Sequence, residues 1–133
     1  MRTLTTLTSS ILALSIGISS SAFAQQYKFI GTDNSLATKM CVSAGSNDSR
    51  KLKSTIRRNK SANQYQVVNN FTCNGLSMAK FAYKYEANDT YEYLNKYSNI
   101  KNRVTPSVTI KDVALNHQDK SETPKVIYVS SSN

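Results

Sequence analysis

Through the middle of this chain apolar residues return every three or four positions, and near its end they alternate. Leu36, Met40 and Ala44, with Ala37 and Cys41 beside them, predict an amphipathic helix that begins after Asn34. Gly45 and Asn47 are expected to end it. Asp48 then caps a second helix, DSRKLKSTIRRNK, whose apolar stripe is only Leu52 and Ile56, narrow enough for a helix leaning on one neighbour. Residues 61–76 read as a polar link. In it Tyr65, Val67, Val68 and Phe71 are available to cover the helices, and Asn74-Gly75 makes a turn. After Ser77, the positions Met78, Phe81, Ala82 and Tyr85 follow the i, i+3, i+4, i+7 rule of a third helix. Asn88-Asp89 opens a fourth, with Asp89 as the cap, Glu92 as its capping-box partner, and Tyr93, Leu94 and Tyr97 on the apolar side.

The two helix pairs are loosely related. A shift of 41 residues lays Asn47-Asp48 on Asn88-Asp89, and Met40 and Cys41 on Phe81 and Ala82. Helix, short turn and second helix is the plan of ankyrin-type units, although two units are fewer than a solenoid needs. Ahead of them, QQYKFIGTDN is a brief extended lead-in that offers Phe29 and Ile30 for packing. Beyond residue 100, Val104, Val108 and Ile110 share even positions and KVIYV is β-branched, so two short strands or a partly disordered tail are the alternatives. Pro106 confines the first of those strands to a sheet edge. The expected class is therefore mainly α: two helix-turn-helix pairs, loosely ankyrin-like, followed by a short extended or partly disordered segment over 100–133.

The first 24 residues change the setting. One charge at Arg2, a Ser/Thr-diluted apolar stretch from Leu12 to Ile18, and small residues in Ser21-Ala22-Phe23-Ala24 have the plan of a secretory leader. That stretch is too short and too polar to span a bilayer, so no transmembrane segment is expected in the mature chain. The helical domain then runs over 25–99, and the expected address is secreted or periplasmic. In an oxidising compartment Cys41 and Cys73 are best paired as one disulfide. Such a bridge closes a loop of about 33 residues, worth roughly 3.5 to 4 kcal/mol in the chain-entropy model. A zinc site would need more ligands, and the single histidine, His117, is far away in sequence; neither metal nor cofactor is expected. Asn47, Asn70 and Asn88 each begin an Asn-x-Ser/Thr triplet, an acceptor for glycans only in a eukaryotic pathway.

Charge sharpens the question of function. The chain holds 17 Lys and Arg against 8 Asp and Glu, a formal net charge of +9, and loss of Arg2 with the leader lowers this by one. Such a balance draws polyanions without dictating a fold. Six cations fall in the second helix: Arg50, Lys51, Lys53, Arg57, Arg58 and Lys60. A run of cations is ordinarily a solvated helix face. Arg57, Arg58 and Lys60 suit the C-terminal end of the helix macrodipole, but Arg50 and Lys51 oppose it in the first turn, by about 0.3–1 kcal/mol each at low salt. A sequence that tolerates that cost has a use for them. Arg50, Lys51 and Lys53 are thus the candidate contacts for an anionic envelope glycan or an acidic protein.

Tyrosines interleave with lysines between Lys80 and Tyr97, a pattern that can stack bases, but an exported address argues against nucleic acid as the natural ligand. Tyr85, Tyr93 and Tyr97 are needed for the core. Tyr83 and Tyr91 lie off the apolar stripes and are candidates for a protein or sugar contact. No catalytic residue is assigned, and an enzyme is not expected. His117 with Asp112 and Asp119 lacks a nucleophile elbow, an HExxH helix or a phosphate loop, and the carboxylates Asp89 and Glu92 are accounted for by capping. The expected form is a monomeric binding or accessory module; the alternative is a protein–protein module, an inhibitor or chaperone-like partner, using the exposed tyrosines.

The runs SLATKMCVSAGSND and FTCNGLSMAKFAYKYEANDTYEYL, with the basic helix between them, resemble a family of small secreted bacterial proteins catalogued only as a domain of unknown function. Members show a Cys-Val-x-Ala helix and a later Val-Cys-Asn-Gly turn that leads into a Phe-Ala helix. The matching positions are Cys41, Val42, Ala44, Cys73, Asn74, Gly75, Phe81 and Ala82; Thr72 departs from the valine, and Ser43 and Gly45 from an alanine-rich run. The resemblance covers about residues 33–97. It implies a fold unit and an envelope address, and no activity.

Overall fold

The computed structural model describes residues 26–59, 62–105 and 123–133. The leader expected over 1–24, Lys60, the strand positions Pro106, Val108 and Ile110, and His117 with Asp112 and Asp119 lie outside them. In chain order the elements are β1 (Tyr27–Gly31), α1 (Leu36–Gly45), α2 (Ser49–Arg58), α3 (Gln64–Asn70), β2 (Thr72–Cys73), β3 (Leu76–Ser77), α4 (Met78–Lys84), α5 (Asn88–Tyr97), β4 (Lys125–Val129) and β5 (Ser131–Ser132). Both predicted helix pairs are present, as α1–α2 and α4–α5. Among the described residues no helix is long and apolar enough to cross a membrane.

The helices converge on one core. Met40, Cys41 and Ala44 of α1, Leu52 and Ile56 of α2, Met78, Ala79, Phe81 and Ala82 of α4, and Leu94 of α5 are all buried. Leu36 is not part of that face. It stands at the first helical position and is exposed, while the buried place in the first turn belongs to Thr38, whose hydroxyl bonds Asp33 Oδ2 at 3.1 Å and Ser131 Oγ at 3.0 Å. The Cys41–Cys73 disulfide is formed, with Cα atoms 5.5 Å apart. It ties α1 to the strand that leads into α4, so it staples the two halves of the chain as expected.

Both helix-turn-helix turns use the same backbone device. The Asp48 N–H bonds the Ser43 carbonyl in the first unit, and the Ala87 N–H bonds the Ala82 carbonyl in the second. The residues before them, Asn47 and Glu86, take the left-handed conformation at φ 56° and 57°. These are Schellman closures with side chains where glycine is usual. They are 39 residues apart, so the structural repeat is out of step with the Asn-Asp overlay. Asn88 therefore begins α5 inside the helix, and the N-cap is Ala87, which has no capping side chain. The expected capping box of Asp89 and Glu92 does not form.

The chain between the pairs is not a polar link. Residues Gln64–Asn70 are helical, opened by a capping box of Asn63 and Gln66. The segment is too short to stand alone and contains Val-Val and Asn-Asn, poor helix formers, so periodicity does not reveal it. Docking holds it: Val67 and Val68 are buried in the core. Asn69 Nδ2 donates to the Tyr97 carbonyl at 2.9 Å, and its Oδ1 accepts from the Asn99 N–H at 2.8 Å. Next comes the Asn74-Gly75 turn, with both residues at positive φ (48° and 77°), which closes the β2–β3 hairpin as a type I′ turn.

The segment expected to be extended or partly disordered supplies strands to both sheets. β4 pairs with β1 in parallel, Phe29 opposite Ile127, and β5 pairs antiparallel with β2. Val129 is fully buried. Asn74 fastens the join, since its Oδ1 accepts from the Ser130 N–H at 2.8 Å and its Nδ2 donates to the Tyr128 carbonyl at 2.8 Å. Phe29 turns inward against Phe81 and Tyr85, with ring centroids 5.9 and 5.0 Å away. Ile30, expected to pack with it, faces outward. Val104 belongs to no strand. Among the described residues the fold is thus five helices around one core with short sheets beside them, rather than two helix pairs with a tail.

Candidate functional site

Helix α2 owes its position to two buried side chains and its character to the exposed ones. Leu52 and Ile56, with Thr55 beside them, face the core; Arg50, Lys51, Lys53, Arg57 and Arg58 all face solvent. The Asp48 carboxylate caps the helix by accepting from the Lys51 N–H at 2.9 Å, at a first turn that has no acidic residue of its own.

The three candidate cations do not act as one cluster. At 3.6 residues per turn Lys51 and Lys53 stand about 160° apart around the axis, on opposite flanks of the exposed face, with Arg50 between them. On the flank of Lys53 the helix meets α5. Lys53 Nζ lies 5.0 Å above the centre of the Tyr93 ring, a cation–π contact between the two helices. Tyr93 packs edge-on against Tyr97 at 5.2 Å, and Lys96 Nζ lies 5.9 Å over the Tyr97 ring. A row of cation, ring, ring and cation therefore runs from α2 along α5. Burial, and next the neighbouring Tyr97, push the Tyr93 phenol above its usual pKa, while Arg57 pulls the other way. Among the described residues the Tyr93 hydroxyl is a buried polar atom with no hydrogen-bond partner.

One ring of this row, Tyr97, lines an open groove of about 450 Å³ between the end of α2, the start of α3 and the last turn of α5. Ile56 and Ala62 form apolar parts of its wall; Arg57, Tyr65 and Tyr97 present the charge and the rings. Tyr65 is 53% exposed. Tyr93 and Tyr97 pack partly buried against the core, as their spacing predicts, and Tyr97 also lines the groove; Tyr65, expected to cover the helices, is exposed at its edge. The only trace in the sequence is spacing, since Lys53 and Arg57, like Tyr93 and Tyr97, are four residues apart on their helices.

Tyr83 and Tyr91, eight residues apart on different helices, meet in space with ring centroids 5.1 Å apart. Tyr83 is 49% exposed and Tyr91 half-buried. They sit across α4 and α5, away from the Tyr65 groove. Asp89, freed from the capping role, accepts from Asn47 Nδ2 at 3.2 Å, and Glu92 is exposed beside Tyr91, Lys96 and Arg103 on a second shallow surface. Among the described residues no three His, Cys, Asp or Glu side chains gather as a metal site would require.

A family model described as a protein of unknown function (DUF3718) matches residues 40–115. That span begins inside α1 and takes in α2 to α5, leaving β1, β4 and β5 outside it. No curated protein and no solved structure matches the chain.

Proposed function

The chain belongs to the DUF3718 family, described as a protein of unknown function, and on that premise we propose that it is an exported, non-enzymatic binding module for anionic envelope material, held through α2. The observation that carries this reading is the outward face of α2. Five cations stand exposed on one ten-residue helix, two of them in the first turn where the macrodipole opposes them. Cations placed only for solubility need not be spent against the dipole. Long flexible cations on a helix suit a repeating anion, because several weak contacts add over one polymer.

The test is direct. The oxidised protein with Arg50, Lys51 and Lys53 all replaced by Gln is expected to lose capture of acidic envelope glycan at low salt, while the wild type loses it only as salt rises. Equal capture by both proteins at low salt discards the reading.

The Tyr83–Tyr91 pair supports a second reading, a protein–protein module in which the two helix-turn-helix units stack as ankyrin-type units do. A half-exposed ring seated on another ring is the kind of rigid anchor that protein interfaces use. Salt separates the two: capture of one protein by wild type and triple variant alike, at low and high salt, favours this one.

A further inference from the structure

Resting on the polyanion reading, we infer that the groove bounded by Arg57, Tyr65 and Tyr97 seats a sugar ring, so that the polyanion is a uronic-acid polysaccharide rather than a polyphosphate or an acidic protein. The chemistry of the wall selects among anions. Two tyrosine rings line the wall, Gln64 brings an amide group, and Arg57 brings a planar guanidinium. No carboxylate lines the groove among the described residues. An amide can donate to one hydroxyl and accept from another, and an arginine holds a carboxylate through two parallel bonds. A uronic-acid unit carries a C–H face, hydroxyls and a carboxylate on one ring, and so uses every component of this wall. Polyphosphate would use the arginine alone, and an acidic side chain would leave the rings in water.

The geometry agrees with a chain-like ligand. The groove shares Tyr97 with the Lys53–Tyr93–Tyr97–Lys96 row, in which a cation of α2 and a cation of α5 flank two rings of α5. Tyr97 is held edge-on by Tyr93, so its ring is fixed before any ligand arrives. Tyr65 is 53% exposed on a helix whose packing is done by Val67 and Val68. At about 450 Å³ the groove falls within the usual range for small-ligand sites, and its openness to solvent lets a polymer enter sideways.

The experiment measures binding of the full oxidised chain to polygalacturonate, polyphosphate and poly-glutamate at matched charge concentration and low salt. The variants are Tyr65→Ala, and Arg50, Lys51 and Lys53 to Gln. Circular dichroism checks that Tyr65→Ala, a surface truncation, keeps the fold. Polygalacturonate is expected to bind more tightly than the other two polymers. Tyr65→Ala is expected to weaken polygalacturonate by about fivefold or more, the loss typical of an anchoring aromatic, and to leave polyphosphate unchanged. The inference is overturned if polyphosphate binds as tightly as polygalacturonate, if Tyr65→Ala affects both or neither, or if the wild type does not hold polygalacturonate. The triple variant reads the other proposal separately. If it binds all three polymers as the wild type does, Arg50, Lys51 and Lys53 do not hold the polyanion, whatever Tyr65→Ala shows.

Discussion

Asn47 shows how much a single side chain can decide. Its left-handed backbone closes α1, its Oδ1 accepts from the Thr90 N–H at 3.1 Å, and its Nδ2 donates to Asp89 at 3.2 Å. It thereby supplies from the first helix pair the N-terminal cap that α5 lacks, and Thr90 returns a bond from its hydroxyl to the Ala44 carbonyl at 2.6 Å. Its counterpart Glu86 takes the same conformation, and the structure assigns its side chain no bond that would justify it. A Glu at positive φ is costly, so Glu86→Gly is expected to stabilise the protein by about 0.5–1 kcal/mol, seen as a higher urea midpoint at unchanged slope. Asp33 gives the residue scale a pH dependence. Hydrogen bonds from Ser35 and then Thr38 hold its carboxyl below the usual carboxylate range. Because the folded value is the lower one, its contribution is complete above the unfolded value of about 3.9 and disappears as pH falls through the folded value. The stability gap between wild type and Asp33→Asn is therefore expected to shrink when urea titrations move from about pH 6 to about pH 2.5.

At the scale of elements, the approach of α1 to β1 is set by the glycine that ends the helix. Gly45 is the last residue of α1 and is buried, and a Cβ there would meet the Phe29 ring at 2.6 Å. That ring cannot simply swing away, being packed on Tyr27, Phe81 and Tyr85. Alanine favours the helix itself by about 1 kcal/mol, but overpacking a buried ring costs about 1–3 kcal/mol. Gly45→Ala is expected to destabilise on balance. Adding Phe29→Leu is expected to recover part of the loss, a non-additivity that a double-mutant cycle measures.

At the scale of the whole molecule, the pairing of β1 with β4 closes the described fold. β1 and β4 are nearly a hundred residues apart in sequence and lie side by side, a parallel pairing that requires everything between them as the crossover. With so small a core, the Cys41–Cys73 bridge across a sequence separation of 32 carries a large share of net stability. Replacing both cysteines by Ser is expected to lower unfolding free energy by roughly 3–4 kcal/mol, measured by chemical denaturation against the oxidised wild type. The ring-and-cation surface belongs to this scale too: Lys53 meets Tyr93 across α2 and α5, and Tyr65 of α3 and Tyr97 of α5 line one groove, on helices that only the packed core brings together.

Local signals alone determined the two helix pairs, the Asp48 cap, the Asn74-Gly75 turn, the disulfide and the family, because each rests on residues within one or two turns of chain, or on the mere count of cysteines. The cap of α5, the helix at Gln64–Asn70, the destination of KVIYV and the ring-and-cation surface were decided by tertiary structure. Each depends on a partner far away in sequence: Asn47 for the cap, the core for Val67 and Val68, β1 for β4, and α2 for the tyrosines of α5. The 3.6-residue rhythm tells which face of a helix is apolar. It does not tell which other face will meet it, and in this molecule that choice set Tyr97, expected to be core, at the wall of a groove as well.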